Sequence, residues 1–202
     1  MLLLERMDTI EKVVYINLEH RTDRRAQVEA ELAVFGDRVE RFSAIQKSPG
    51  GIGCSMSHLA VLKRAKEQGW KNVLIVEDDF VWCKTEEGMT VFNNIVKNPY
   101  DVILLGGAYL KYDTVTYKLL SGQTALAYIV NSSYYDTLIS NFKEGLEGFL
   151  RTMNYPVYAL DQYWKRLQPH DRWYIIRPSL CMQRPSFSDI EQTHVDYSRA
   201  YL

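Results

Sequence analysis

Three acids stand in a row at Glu77, Asp78 and Asp79, directly after the apolar stretch Asn72–Val76. A β-branched run of that length ending in carboxylates reads as a strand that delivers acids to its carboxyl end, where ligands of open α/β sheets bind. Continued strand geometry points Glu77 and Asp79 to one side and Asp78 to the other. Carboxylates sharing a face repel each other unless a cation lies between them, and their hard oxygens suit Mg²⁺ or Mn²⁺. A metal held by few protein oxygens keeps positions open for water and for the phosphates of a nucleotide diphosphate. Cleavage at a phosphoester and departure of a diphosphate therefore both fit. A solvated acidic turn is the plain alternative.

Two further places carry chemistry-bearing residues. Arg21, Asp23, Arg24 and Arg25 follow the first apolar run; taken alone they read as a solvated helix start with local ion pairs worth little. Gly50, Gly51 and Gly53 precede Ser55. A glycine loop opening into a helix lets backbone N–H groups approach an anion at the helix N-terminus. Ser57 and His58 then fall in that helix's first turn, where His58 is either a ligand-binding group or a histidine satisfied in the core.

Positioning these groups requires strands and crossover helices in alternation. Val13–Leu18 predicts a first strand, and Thr22, as N-cap, opens a helix with Val28, Leu32 and Phe35 at helical spacing up to Gly36. A strand over Val39–Ile45, a helix from about Ser55 to Gln68 stopped by Gly69, and the strand Asn72–Val76 follow. Next come a helix over Glu86–Lys97, a strand over Val102–Leu105, a hairpin through Tyr109–Leu120 and a strand over Thr124–Val130. Ser132 or Ser133 caps a helix reaching Phe142. The alternation predicts an α/β fold with a mainly parallel, Rossmann-like sheet and an irregular C-terminal segment. No repeat or linker divides residues 1–202, so a single domain is expected.

Composition narrows the class. The chain has 202 residues with 24 Lys+Arg against 25 Asp+Glu, a net charge of −1, and 12% aromatic residues. That balance is the reverse of a disordered chain and lacks the basic surface that nucleic-acid binding needs. No apolar run approaches the roughly 20 residues of a membrane span. Met1–Leu4 is followed at once by Glu5, Arg6 and Asp8, which is not a secretory signal, so a cytoplasmic location is expected. Cys54, Cys83 and Cys181 form no CxxC pair and read as reduced thiols.

Several segments together are similar to one family. VYINLEHRTDRR (Val14–Arg25), GCSMSH (Gly53–His58) and VLIVEDD (Val73–Asp79) resemble, in order, the signatures of glycosyltransferase family 25, the lipopolysaccharide-biosynthesis and collagen galactosyltransferase group. Ala125–Val130 with Ser132, and QRPSFSDI (Gln183–Ile190), resemble weaker downstream blocks. Glu19 and Thr22 stand where the family commonly has Asp and Pro, and Leu62 where an aromatic residue is frequent. The resemblance implies a single GT-A-type domain, a nucleotide-sugar donor, a divalent metal (Mn²⁺ or Mg²⁺) and transfer with inversion.

Residue roles follow from the resemblance. Asn17, Arg21 and Arg24 border the nucleoside and diphosphate, with Gly53, Ser57 and His58 beside the donor. Asp79 is the principal metal ligand, and Glu77 or Asp78 reaches the ribose or the metal. His194 either completes the metal site or is solvated. An inverting transfer is a single displacement and needs a base for the acceptor hydroxyl. Asp161, among the apolar neighbours Val157, Ala159, Leu160 and Trp164, is the candidate, unless it caps a short helix; Asp189 competes as base or outer ligand. Tyr109, Tyr112, Trp164 and Trp173 stack on acceptor sugars or belong to the core. The expected activity is transfer of a hexose, galactose or glucose, from a UDP-sugar to a glycan or hydroxylated acceptor. A metal-dependent phosphohydrolase and a non-catalytic glycan- or nucleotide-binding module are the competing readings.

Overall fold

The computed structural model describes residues 7–83, 85–190 and 192–201. The Met1–Leu4 start and the charged Glu5 and Arg6 behind it, on which the expectation of no secretory signal rests, lie outside the described residues.

The elements run β1 (Lys12–Asn17), α1 (Thr22–Leu32), β2 (Val39–Ser43), α2 (Gly50–Glu67), β3 (Asn72–Glu77), β4 (Phe80–Trp82) and α3 (Glu86–Ile95). They continue with β5 (Val102–Leu104), β6 (Ala108–Tyr112), β7 (Leu119–Gln123), β8 (Ala127–Asn131) and α4 (Tyr135–Thr152). The C-terminal part holds α5 (Tyr155–Tyr158), α6 (Leu160–Tyr163), β9 (Trp173–Ile175), β10 (Cys181–Gln183), β11 (Ser186–Ser188) and β12 (Thr193–Val195).

A six-stranded sheet of order β2-β1-β3-β8-β5-β9 forms the centre. β1 lies parallel to β2 and β3, β5 lies parallel to β9, and β8 runs against both of its neighbours. The sheet is thus mainly parallel, as the alternation of elements predicts. Strand side chains alternate between two buried layers. Val13, Tyr15, Leu74, Val76, Ile103 and Ile129 pack with Val28 and Leu32 of α1 and Met89, Phe92 and Ile95 of α3. On the opposite face Val14, Ile16, Val73, Ile75 and Val130 pack with Leu59 and Leu62 of α2 and Leu138 and Phe142 of α4. Burial on both faces explains why these strands read as continuous apolar runs. Among the described residues no helix is long and apolar enough to cross a membrane.

Local details depart from the sequence reading where glycine or short polar residues were ambiguous. Thr22 is the first helical residue of α1; Arg21 holds the cap position and no side chain caps it. α2 begins at Gly50, five residues earlier than Ser55, so Gly51 and Gly53 are helical rather than loop residues, and Ser57 and His58 lie beyond the first turn. Asn131, not Ser132 or Ser133, accepts the capping hydrogen bond, from the Ser133 N–H, and the helix behind it runs on to Thr152. The stop at Gly69 is as expected: with φ at +68°, it donates to the Lys66 carbonyl while Trp70 donates to that of Ala65, a Schellman closure.

The early start of α2 has a steric reason for its glycine. A Cβ on Gly53 would lie 2.3 Å from the Ile45 carbonyl oxygen and 3.0 Å from the Lys47 nitrogen. Ser57 fastens the same loop, accepting from the Ile45 N–H at 2.8 Å and donating to the Gly53 carbonyl at 2.7 Å. Gly53→Ala is therefore expected to cost about 1–3 kcal/mol or more in urea unfolding. Gly69→Ala, with nothing within 4 Å of its Cβ position, costs about 1 kcal/mol through its positive φ alone.

Candidate functional site

The carboxyl ends of β1 and β3 open on a cavity of about 760 Å³. Its wall includes Arg24, Lys47, Gly50, His58, Asp79 and Asp189. β3 ends at Glu77, and Asp78 and Asp79 form a turn into β4. The strand alternation expected for the three acids thus stops one residue early. The paired acids are Asp78 and Asp79, and the cation between them is a guanidinium.

Arg24, reaching in from α1, donates through Nη1 to Asp78 Oδ1 at 2.8 Å and to Asp79 Oδ2 at 3.3 Å. Its Nη2 donates to Ser186 Oγ at 2.7 Å and to the Phe187 carbonyl at 2.8 Å. Asn17 donates to Asp78 Oδ2 at 2.8 Å and to the Arg21 carbonyl at 3.0 Å, and accepts from Arg41 at 3.1 Å. Gln183, which β10 brings beside β4, donates to Asp79 Oδ2 at 3.0 Å. Both oxygens of Asp78 thus have a donor; Asp79 Oδ1 is buried without one among the described residues.

Burial pushes the Asp78 carboxyl up, against the pull of Arg24 and Asn17. Burial, followed by the charge of Glu77, lifts Asp79 to about 7. For Glu77 burial acts upward as well, but the hydrogen bond and charge of His58 outweigh it and hold the carboxyl below its usual range. His58 Nε2 lies 3.3 Å from Glu77 Oε1, and its Nδ1 lies 2.8 Å from the Tyr128 hydroxyl, which stacks on the ring. His58 is fully buried and also lines the cavity.

A second cavity, of about 290 Å³, adjoins the first. Cys54, Glu77, Gln183, Ser188 and Ile190 belong to both walls. Asp161 and the exposed Tyr109 line the second cavity, and Asp161 Oδ2 accepts from the Thr124 N–H at 3.0 Å. Asp161 does not cap α6, whose cap position is Ala159 with no side-chain bond. Burial raises its carboxyl above the usual range.

Other expected residues lie apart from this junction. Asp189 is on the wall of the larger cavity but is engaged by Arg21 and lies 3.7 Å from His20. Arg21 is further held by Asp23 at 3.0 Å, so its fork ties the β1–α1 corner to the tail. His194 is exposed on β12 against the Phe187 ring and lines neither cavity. Trp164 and Trp173 are fully buried and pack edge to face at 5.2 Å, which makes them core. The sequence reading passed over Cys54, Gln183, Thr124 and Tyr128. Cys54 alone had a local signal, its four-residue spacing from His58 on one helix face.

Removing Arg24 leaves two neighbouring buried acids without their cation. Arg24→Met is expected to lose about 3–5 kcal/mol in urea unfolding, partly recovered by adding Asp78→Asn. Asp79 stays protonated to about pH 7 in the folded chain but ionises near its ordinary 3.8 when unfolded. Folding takes up a proton in that window, so stability falls as pH rises through it, and the loss is complete above it. Asp79→Asn should therefore raise the Tm by a few degrees at pH 8 and leave it unchanged at pH 4; an equal shift at both would show that ionisation is not the cause.

No protein-family model and no curated protein matches the chain. Solved structures do. A glycosyltransferase involved in the glycosylation of the major capsid of PBCV-1 superposes with a TM-score of 0.52 at 11% identity, covering 90% of this chain and 95% of that one. A Bacillus anthracis structure in complex with sucrose, assigned as a glucose-1-phosphate thymidylyltransferase, reaches 0.50 at 9% identity over 98% of this chain and 78% of that one. The likeness is one of fold: a mainly parallel α/β sheet of the GT-A type.

Proposed function

We propose that the chain is a metal-dependent inverting glycosyltransferase of the family 25 kind, moving a hexose from a UDP-sugar to a glycan or hydroxylated acceptor. The observation that carries this reading is the pair of adjoining cavities, one lined by Arg24, Lys47 and the acids, the other reached by Glu77 and by a further carboxylate, Asp161. Two substrates meeting at a junction is what a transferase needs. The ordered sequence resemblance and the GT-A-type fold support it.

The nucleotide lies in the larger cavity, its diphosphate facing Lys47 and the N-terminus of α2, where free N–H groups and the helix dipole favour an anion. The residues present fit a divalent metal in that Asp79 lines the cavity and its Oδ1 is buried without a partner among the described residues. Asp79 would hold Mn²⁺ or Mg²⁺, which when bound stabilises charge on the departing diphosphate. Arg24 and Asn17 act by fixing Asp78 and so the turn that aims Asp79. In the second cavity Asp161 accepts the proton of the acceptor hydroxyl as that oxygen attacks the anomeric carbon and the bond to the diphosphate breaks. The raised affinity of its carboxyl for protons, a consequence of burial, suits that role.

Calorimetry of UDP with and without Mn²⁺ tests the donor site. Binding is expected to need Mn²⁺ and to weaken at least about tenfold in Asp79→Asn. Asp161→Asn should lower kcat by about 10²–10⁴ while UDP affinity is unchanged. Absence of UDP binding together with phosphate release from simple phosphoesters would replace this reading by that of a phosphohydrolase.

A further inference from the structure

At the junction of the two cavities stand three side chains that bring sulfur and nitrogen donors together with a carboxylate. Cys54 and His58 are one helical turn apart on α2, and Glu77 ends β3 opposite them. Cys54 Sγ lies 3.6 Å and His58 Nε2 lies 3.3 Å from the same oxygen, Glu77 Oε1. One ligand atom from each residue falls within 4.8 Å of the other two. Ligands at about 2.0–2.3 Å from a tetrahedral Zn²⁺ stand about 3.3–3.8 Å apart, so two of these edges already have the length a coordinated ion imposes.

We propose that Cys54, His58 and Glu77 form a site for a borderline-soft divalent cation of the Zn²⁺ or Co²⁺ class. A thiolate, a neutral imidazole and a carboxylate together carry two negative charges, which neutralise a divalent ion in a buried setting. On binding, the sulfur–metal bond forms and the thiol proton leaves to solvent. With Nε2 ligating, the imidazole proton would sit on Nδ1, where the Tyr128 hydroxyl 2.8 Å away is placed to accept it. Three protein ligands leave a fourth position open, and Cys54 and Glu77 face both cavities, so that position is accessible to a ligand in either. Sulfur and imidazole ligands disfavour Mg²⁺ and Mn²⁺, which separates this site from the oxygen site at Asp79. The inference rests on the three side chains and does not depend on the transferase reading.

Co²⁺ alone, titrated into metal-free protein without nucleotide, tests it. Expected are a sulfur-to-cobalt charge-transfer band in the near ultraviolet at one equivalent, intense visible bands of a tetrahedral ion, and no bleaching by excess Mn²⁺. Cys54→Ser should abolish the charge-transfer band and weaken Zn²⁺ binding by more than the roughly 10–100-fold that loss of an outer partner costs, which is the loss expected for Tyr128→Phe. Asp79→Asn should keep the band. In the wild-type protein, Zn²⁺ should slow alkylation of Cys54 by iodoacetamide, mapped by mass spectrometry, and leave Cys83 unaffected, a readout that needs no variant to fold. No charge-transfer band in the wild-type protein, a band that survives in Cys54→Ser, or alkylation of Cys54 at the same rate with and without Zn²⁺ overturns the proposal.

Discussion

Two adjacent carboxylates in a dry turn need positive charge close at hand, and the rest of the site depends on where that charge comes from. Arg24 supplies it from the first crossover helix, with one nitrogen bridging Asp78 and Asp79 and the other anchored on Ser186 and the Phe187 carbonyl. A lysine could not do both, because the planar fork presents its nitrogens in fixed directions. The same side chain therefore sets the β3–β4 turn and holds the β11–β12 hairpin over it. Desolvating a charge cluster is costly, and the structure meets that cost by giving each oxygen of Asp78 a donor, while Asp79 Oδ1 is buried without a partner among the described residues.

That asymmetry divides labour among residues that look equivalent on paper. Asn17, Arg24 and Asp78 form a scaffold by bonding to one another, although Arg24 Nε is buried without a partner among the described residues. Asp79 and Glu77 face open space with carboxyls displaced in opposite directions, the first upward by burial and its neighbours' charge, the second downward by His58. Neighbouring titratable groups driven apart in this way are a common mark of sites that handle charge. Asp161, across the junction, has its own buried setting and a single backbone donor, so its proton affinity is governed separately from that of the acids around Arg24.

The sheet was legible because its strands are covered on both faces. Runs such as Val13–Leu18 and Val102–Leu105 have no other use for so many β-branched residues, and Gly69 could be placed as a stop from its type alone. The start of α2 was not legible, since Gly50, Gly51 and Gly53 read as a flexible loop when the requirement at Gly53 is room for the Ile45 carbonyl. Asp78 and Asp79 were assigned to alternating faces because nothing local announces that β3 gives way to a turn. The partners contributed by distant segments were beyond reach for the same reason: Gln183 lies 104 positions from Asp79, and Asp189 lies 168 from Arg21. Such pairings depend on how β10 docks on β4, a tertiary event with no short-range signature.

Those separations also bear on how the molecule is made. The β1–α1–β2–α2–β3 portion brings its acids together early, but Gln183 on Asp79 and Ser186 on Arg24 close loops of more than a hundred residues. Contacts this remote in sequence form late, because the entropy of closing the loop must be met before they stabilise anything. On the ribosome, Asp78 and Asp79 emerge with Arg24 already available, whereas the lid of tail residues that roofs them is synthesised well over ninety positions later. The nascent chain therefore holds the acids and their arginine long before the residues that roof them exist, and the same late segment, through Leu180, Cys181 and Tyr201, completes one layer of the core.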